Sequence, residues 1–556
     1  MQLIRIENYF YFLITVFLLI SCAQIVVPDG GEVDRVPPKV LSSLPINQSV
    51  NFKGNELVLV FDEYVQIKDA KKEVIISPPL NKFPEFNLKG KKLIIPFGEE
   101  LKKNTTYTFN FGNAIVDLNE NNVLDSNIFV FSTGDSIDNA VVKGNVKFAE
   151  DLKPAEDVLV MLYKDTTDSV QSLEKPYYAT ITKEDGSYRI ENVAKGCYKI
   201  FALIDENANM LFDQPTETVG FSDSLVCVDT LSNRDIYVFE PSLKKTYLKK
   251  SKHESYGKIA LYFSNNVDSS INIYHEYDIE VSNKKEFSLI EKTENNDTLY
   301  YWFQAPEGVE NLVLYVNDTV NKINDTLEFA IKNFESLYKI NKKEKDTVFP
   351  TEKIKINVAE GAKFDLNREL SLTSVYPINS FNKNNFIITQ GADTIKFNLK
   401  ANISQPRRLV FSDFEWLQDS SYTIMVFPYA IDNIYGIPFK DTLKVNFKTK
   451  SELDYTTLSI DVKTDLYTQK NLVIELLDDN KKFIASQKVK NNKVYFDYLK
   501  GGKYFLKLIF DDDNSGDWTS GDFYKKRKAE EIFFYPKKIE LQTGWDMELK
   551  WDIDGY

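Results

Sequence analysis

Short segments in which apolar and polar residues alternate, each closed by a cluster of turn formers, recur from residue 37 onward. This two-residue rhythm limits the fold more than any other feature of the chain. Residues 56–61, 92–97, 107–111 and 128–133 all carry it, and turn clusters at 52–55 and 117–122 separate them. Alternation puts successive side chains on opposite faces of an extended strand, so each segment has one greasy side to bury. With 31 Tyr and 39 Phe, the aromatic content suits pleated surfaces. No stretch beyond the first 21 residues keeps a helical period. The expectation is an all-β chain of small sandwiches, whose strands and turns come at sandwich spacing.

The rhythm itself repeats on a longer scale. Residues 37–135 read as one sandwich (module A). Residues 138–240 read as a second kind (module B), with Asp185-Gly186-Ser187-Tyr188 opening one strand and Gly196-Cys197-Tyr198 the next. Residues 241–348 form a third stranded stretch (module C). Both earlier kinds then return. Residues 349–450 echo A, the close at Val445-Asn446-Phe447-Lys448-Thr449 matching Val130-Phe131-Ser132-Thr133. Residues 454–556 echo B, where Gly502-Lys503-Tyr504 runs into an acidic loop as Gly196-Cys197-Tyr198 does. Five modules in the order A-B-C-A-B follow a leader, residues 1–21, and a linker, residues 22–36.

The leader has Arg5 ahead of an apolar run from 9 to 20, ending Leu19-Ile20-Ser21-Cys22. About a dozen apolar residues fall short of the roughly 20 that a spanning helix needs, so the run reads as a signal peptide. Its end resembles the precursors of bacterial lipoproteins, which implies cleavage before Cys22 and acylation of that residue. An ordinary secretory peptide and an uncleaved anchor are the competing readings. Several acyl chains would hold the protein firmly, at about 0.8 kcal/mol per buried methylene.

Pro28-Asp29-Gly30-Gly31, Pro37-Pro38, Phe61-Asp62-Glu63-Tyr64 and Phe131-Ser132-Thr133-Gly134 resemble the Ig-like lipoproteins of Bacteroidota, whose first module is similar to S-layer-type Ig-like domains. Module B is similar to the prealbumin-like, carboxypeptidase-regulatory sandwich through Asp-Gly-Ser-Tyr and Gly-x-Tyr. The C-terminal copy departs from this, with Asn491-Asn492-Lys493-Val494-Tyr495-Phe496 in place of the first motif. The resemblance implies location and architecture, an outer-membrane lipoprotein with tandem β-sandwiches, and supplies no activity. The cell surface is favoured over the periplasmic face, although Ala23-Gln24-Ile25-Val26-Val27 lacks the acidic cluster that resembles a surface-export signal.

Oxygen donors are spaced for calcium in the loop that starts at Asp511. Asp511, Asp513, Ser515, Thr519 and Asp522 occupy positions 1, 3, 5, 9 and 12, Asp517 can offer a carbonyl at 7, and Gly516 stands at 6, where the backbone must turn sharply. Two features depart from an EF-hand: Asp522 replaces the bidentate Glu, and a strand precedes the loop. A structural calcium ion and a solvated acidic hairpin tip, tolerated through salt screening, both remain open. The module B counterpart, Asp205, Asn207, Asn209 and Asp213, has Met210 where glycine belongs and is the weaker candidate. Cys197 and Cys227 lie in neighbouring strands, as a disulfide or as two free thiols.

The net charge of −14 argues against nucleic acid. Catalytic patterns are lacking: His253 and His275 are each followed by Glu with no second His four residues on, and no nucleophile elbow, P-loop or dinucleotide fingerprint occurs. Asp-Ser/Thr triplets such as Asp297-Thr298-Leu299 and Asp441-Thr442-Leu443 resemble an O-glycosylation sequon, and equally mark a turn followed by a strand. Three functions are weighed. The first is a non-catalytic scaffold docking on an envelope assembly such as an outer-membrane β-barrel machine. The second is surface adhesion or glycan binding, for which exposed tryptophans should line one face. The third is an unrecognised hydrolase.

Overall fold

The computed structural model describes residues 34–241, 246–267, 270–277, 287–293, 296–306, 308–334, 339–340, 347–348, 350–402, 404–465, 467 and 469–555. The leader and Cys22 lie outside the described residues. The chain is all-β, and its strands gather into many small sheets that pair face to face.

The first sandwich shows how alternation becomes a core. One sheet runs Val40–Leu44, Glu56–Phe61, Lys92–Pro96, Asn87–Lys89, and the other Ile75–Ser77, Thr106–Asn110, Ile128–Ser132. Leu57, Leu59 and Phe61 face inward from the first sheet with Leu93 and Ile95, and meet Tyr107, Phe109 and Phe131 of the second. Phe131 is the hub: its ring centroid lies 5.0 Å from Phe52, 5.9 Å from Phe97, 5.7 Å from Tyr107 and 6.1 Å from Phe109. Such aromatic contacts add to the area they bury.

Matching hydrogen bonds recur along the chain. Tyr107 Oη accepts from Lys102 N at 2.9 Å, and Tyr422 Oη from Leu417 N at 3.0 Å. Thr133 Oγ1 accepts from Thr105 N and donates to Lys102 O, as Thr449 Oγ1 accepts from Ser420 N and donates to Leu417 O. In the B-type copies, Tyr198 Oη donates to Ala194 O and Tyr504 Oη to Lys500 O, each at 2.7 Å. A tyrosine tied to backbone at a strand entry is a recurrent sandwich device. In both copies the tied tyrosine stands two residues after a glycine, Gly196 or Gly502. Where the C-terminal copy lacks Asp-Gly-Ser-Tyr, Asn491 and Asn492 take the turn with φ of 51° and 61°, a region that asparagine tolerates.

The chain divides into two compact units. One holds the residues up to Val146 with Ala155–Phe212 and Ser222–Ile236; the other holds Lys147–Pro154, Asp213–Phe221 and everything from Tyr237 on. The stretch 138–240 contributes residues to each. Its segments in the second unit share apolar surface with the C-terminal sandwich: Leu152 packs on Val473, Ile509 and Ile532, and the Phe221 ring meets that of Phe523 at 5.8 Å.

Within the second unit, neighbouring modules are locked by buried side chains. Tyr256, Trp302, Ile434, Tyr435 and Ile437 form one cluster between module C and the second A module. Tyr435 Oη donates to Gly257 O at 2.8 Å. A Cβ on Gly257 (φ +66°) would meet that hydroxyl at 2.2 Å and Phe303 O at 2.4 Å, so only glycine fits. Glu291 binds Arg407 through Nε and Nη2 at 2.8–2.9 Å and accepts from Trp302 Nε1 at 2.8 Å. At the next junction, Asp365 Oδ1 takes Lys450 Nζ at 2.5 Å and Tyr455 Oη at 3.0 Å, while Tyr455 Oη accepts from Leu366 N.

Candidate metal centre

Strand Gly502–Phe510 is driven into the C-terminal core by Leu506, Leu508, Ile509 and Phe510. It pairs with the returning strand Ile532–Phe534 in the register Ile509 to Ile532. One bond beyond, Phe510 N donates to Glu531 O. Continuing that antiparallel register sets Glu530 opposite Asp511, at the mouth of the acidic loop. Among the described residues, Asp511, Asp513 and Glu530 are the group of three whose carboxylate oxygens lie within 4.8 Å of one another.

Asp511 is 1% exposed and Glu530 4%, whereas Asp513 is open to solvent. Glu530 organises the loop. Its Oε1 accepts from Asp512 N at 2.8 Å, its Oε2 accepts from Thr519 N at 2.8 Å, and its carbonyl accepts from Trp518 Nε1 at 2.9 Å. Burial pushes the Glu530 carboxyl above the usual glutamate range. Burial also acts upward on Asp513, but the Ser515 and Thr519 hydroxyls outweigh it and hold that group below its ordinary value. Asp511 Oδ2 accepts from Gly516 N at 3.1 Å and faces Lys488 Nζ at 3.4 Å. Its other oxygen, Oδ1, is buried without a hydrogen-bond partner. A buried acceptor left unmade costs about 1–3 kcal/mol, and more when charged.

Of the residues proposed from spacing, Asp511, Asp513, Ser515 and Thr519 come together, with Ser515 Oγ 3.4 Å from Thr519 Oγ1. Gly516 turns at φ +89°, and the Asp517 carbonyl accepts from Ser515 Oγ. Asp522 is placed elsewhere: its Oδ1 accepts from Lys525 N, its Oδ2 pairs with Lys525 Nζ at 3.3 Å, and its backbone closes a turn with Arg527. Glu530 stands where spacing had put Asp522, and the strand register alone could have pointed to it.

The weaker loop is arranged differently. Asp205 Oδ1 and Oδ2 accept from Asn209 N and Met210 N, and Asn209 Oδ1 accepts from Leu211 N, a turn closed on its own backbone. Asn207 lies between them at the exposed tip. Asp213 belongs to the second unit, where its N donates to Glu217 Oε2. Met210 takes φ +63° in the place where glycine was expected. Cys197 and Cys227 face each other across strands Gly196–Leu203 and Val226–Val228 and are joined as a disulfide. His253 Nδ1 lies 3.0 Å from Ala330 O and His275 Nδ1 2.5 Å from Tyr301 Oη. Of the five tryptophans only Trp545 is exposed, at 73%; Trp302 and Trp551 are buried, and Trp416 and Trp518 half-buried.

No curated protein matches the chain significantly. Among solved structures, the major pilin subunit of Bacillus cereus aligns at 9% identity over 74% of this chain and 99% of its own, with a TM-score of 0.14. The TIE protein of Bacillus anthracis aligns at 11% identity over 95% and 76%, TM-score 0.14. The T6 backbone pilin of serotype M6 Streptococcus pyogenes aligns at 10% identity over 75% and 98%, TM-score 0.14. At these scores the alignments carry no argument about function. Residues 34–133 match the family model of the bacterial Ig-like domain, and the chain therefore carries a bacterial Ig-like domain as its first sandwich.

Proposed function

We propose that the chain is a non-catalytic scaffold of the bacterial outer membrane, anchored by lipid at Cys22, and that the sandwiches of its second unit hold docking faces for other envelope proteins at fixed separations. The observation that carries this reading is the pair of locked junctions in the second unit. A flexible tether would join its modules through open, polar linkers. Here Tyr435 enters a space that only Gly257 leaves free, the Glu291–Arg407 pair sits beside buried Trp302, and Asp365 gathers Lys450 and Tyr455. Rigidity of this kind lowers the ordering cost when a partner binds. An outer-membrane β-barrel assembly is the partner class that fits a lipid-anchored protein. Surface adhesion or glycan binding is the second reading. It called for a row of exposed tryptophans, and Trp545 alone is exposed.

The test is affinity purification of tagged protein from gently solubilised envelopes of the native host, with Tyr435→Ala beside it. The scaffold reading expects a reproducible set of envelope proteins that falls away in Tyr435→Ala at equal protein level. Recovery of the chain alone, or an unchanged set with the loosened junction, overturns it. Metabolic labelling with an alkyne fatty acid should mark the wild type and leave Cys22→Ser unlabelled.

A further inference from the structure

We propose that Asp511, Asp513 and Glu530 hold one calcium ion, with the Ser515 and Thr519 hydroxyls completing the donor set, and that this ion fastens the segments carrying Leu152 and Phe239 onto the C-terminal sandwich. Two independent observations meet at the site. Three carboxylates converge within 4.8 Å, and the side chain of Asp511, fully buried, keeps one oxygen with no hydrogen-bond partner. Gly516 N and Lys488 Nζ both engage the opposite oxygen, Oδ2. The donors are all oxygen, with no His or Cys among them, which selects a hard cation over zinc or copper. Carboxylates mixed with hydroxyls in an irregular loop suit calcium, which takes six to eight oxygens in flexible geometry, better than magnesium with its near-ideal octahedron.

What the ion would hold is given by the far side of the same loop. Ser520 Oγ donates to Glu240 O, a Cβ on Gly521 would fall 2.3 Å from the Phe239 ring, and Trp518 packs in the cluster that includes Leu152. All these residues belong to the second unit. Since Glu530 bonds Thr519 N and takes the Trp518 indole on its carbonyl, a cation fixing the Glu530 carboxylate fixes that face as well. The ion thus acts as a structural fastener between segments more than 250 residues apart in the chain, as with the 280 between Ser520 and Glu240.

The test is calcium titration of the chelator-treated mature chain, followed by calorimetry, Trp518 fluorescence and hydrogen exchange. The expected result is one site filled at or below millimolar calcium, weakened about tenfold or more by Asp511→Asn or Glu530→Gln and left within about twofold by Asp522→Asn. Asp513→Asn, at an exposed position, serves if either buried substitution fails to fold. Calcium should slow exchange at Lys147–Pro154 as well as in the loop. Absence of heat at millimolar calcium overturns the site. Binding that survives Glu530→Gln and is lost in Asp522→Asn overturns the donor assignment, and binding with unchanged exchange at Lys147–Pro154 overturns the fastener. None of these outcomes bears on partner docking, which the envelope purification tests separately.

Discussion

Replacing Gly257 by alanine should loosen the junction between module C and the second A module, and the structure sets the size of the effect. Gly257 sits at φ +66°, where an L-residue costs about 1–2 kcal/mol. The added Cβ would also stand 2.2 Å from Tyr435 Oη and 2.4 Å from Phe303 O. The second of these is backbone in a buried strand and cannot swing away. Overpacking of this kind costs about 1–3 kcal/mol, so Gly257→Ala should lose about 2–5 kcal/mol in all. Tyr435→Phe alone gives up the hydroxyl's bond to Gly257 O, about 1 kcal/mol. Placed together, the two changes should be less than additive by about 1 kcal/mol, because removing the hydroxyl removes the closer of the two clashes. Urea unfolding followed by near-ultraviolet circular dichroism reads the aromatic cluster directly. A loss below about 0.5 kcal/mol for Gly257→Ala, the size of a surface substitution, would refute the close approach and with it the rigid junction.

Arg407→Met should cost about 2–3 kcal/mol in the same assay, since it strands the nearly buried Glu291 carboxylate; Glu291→Gln, which keeps an acceptor for Trp302 Nε1, should cost less. Burial acts upward on the Asp365 carboxyl, but Lys450 and the Tyr455 hydroxyl win and hold it below the usual aspartate range. Its contribution is complete above that range and is lost as pH falls through it toward the depressed value. Asp365→Asn should therefore flatten the acid limb of a stability profile below about pH 4, and an unchanged slope would contradict the assignment. Phe131→Ala, at the hub of the first aromatic core, should destabilise that sandwich by about 3–5 kcal/mol in thermal melts of the chain.

Much of the architecture was legible from local pattern, because sheet formation is a matter of which side chains alternate and where turns can form. Leu57, Leu59 and Phe61 announce their inward face by spacing alone, and Gly196 and Gly502 announce their tyrosine ties two residues later. The donors at Asp511, Asp513, Ser515 and Thr519 were visible for the same reason: a loop's own residues meet over a short path. Glu530 was not, since it reaches the site through the register of a returning strand, 19 positions after Asp511, and register is set by packing across the sandwich.

Sequence alone thus determined the strand content and the acidic loop with its glycine. Tertiary structure decided what lies between modules. Arg407 finds Glu291 across 116 residues, Ser520 finds Glu240 across 280, and Leu152 of the 147–154 hairpin packs on Val473, Ile509 and Ile532 of the C-terminal sandwich. The physical reason is that alternation names a face to be buried without naming what buries it. Partners so far apart in the chain meet only when whole sandwiches have formed and their leftover apolar and charged edges are matched against one another.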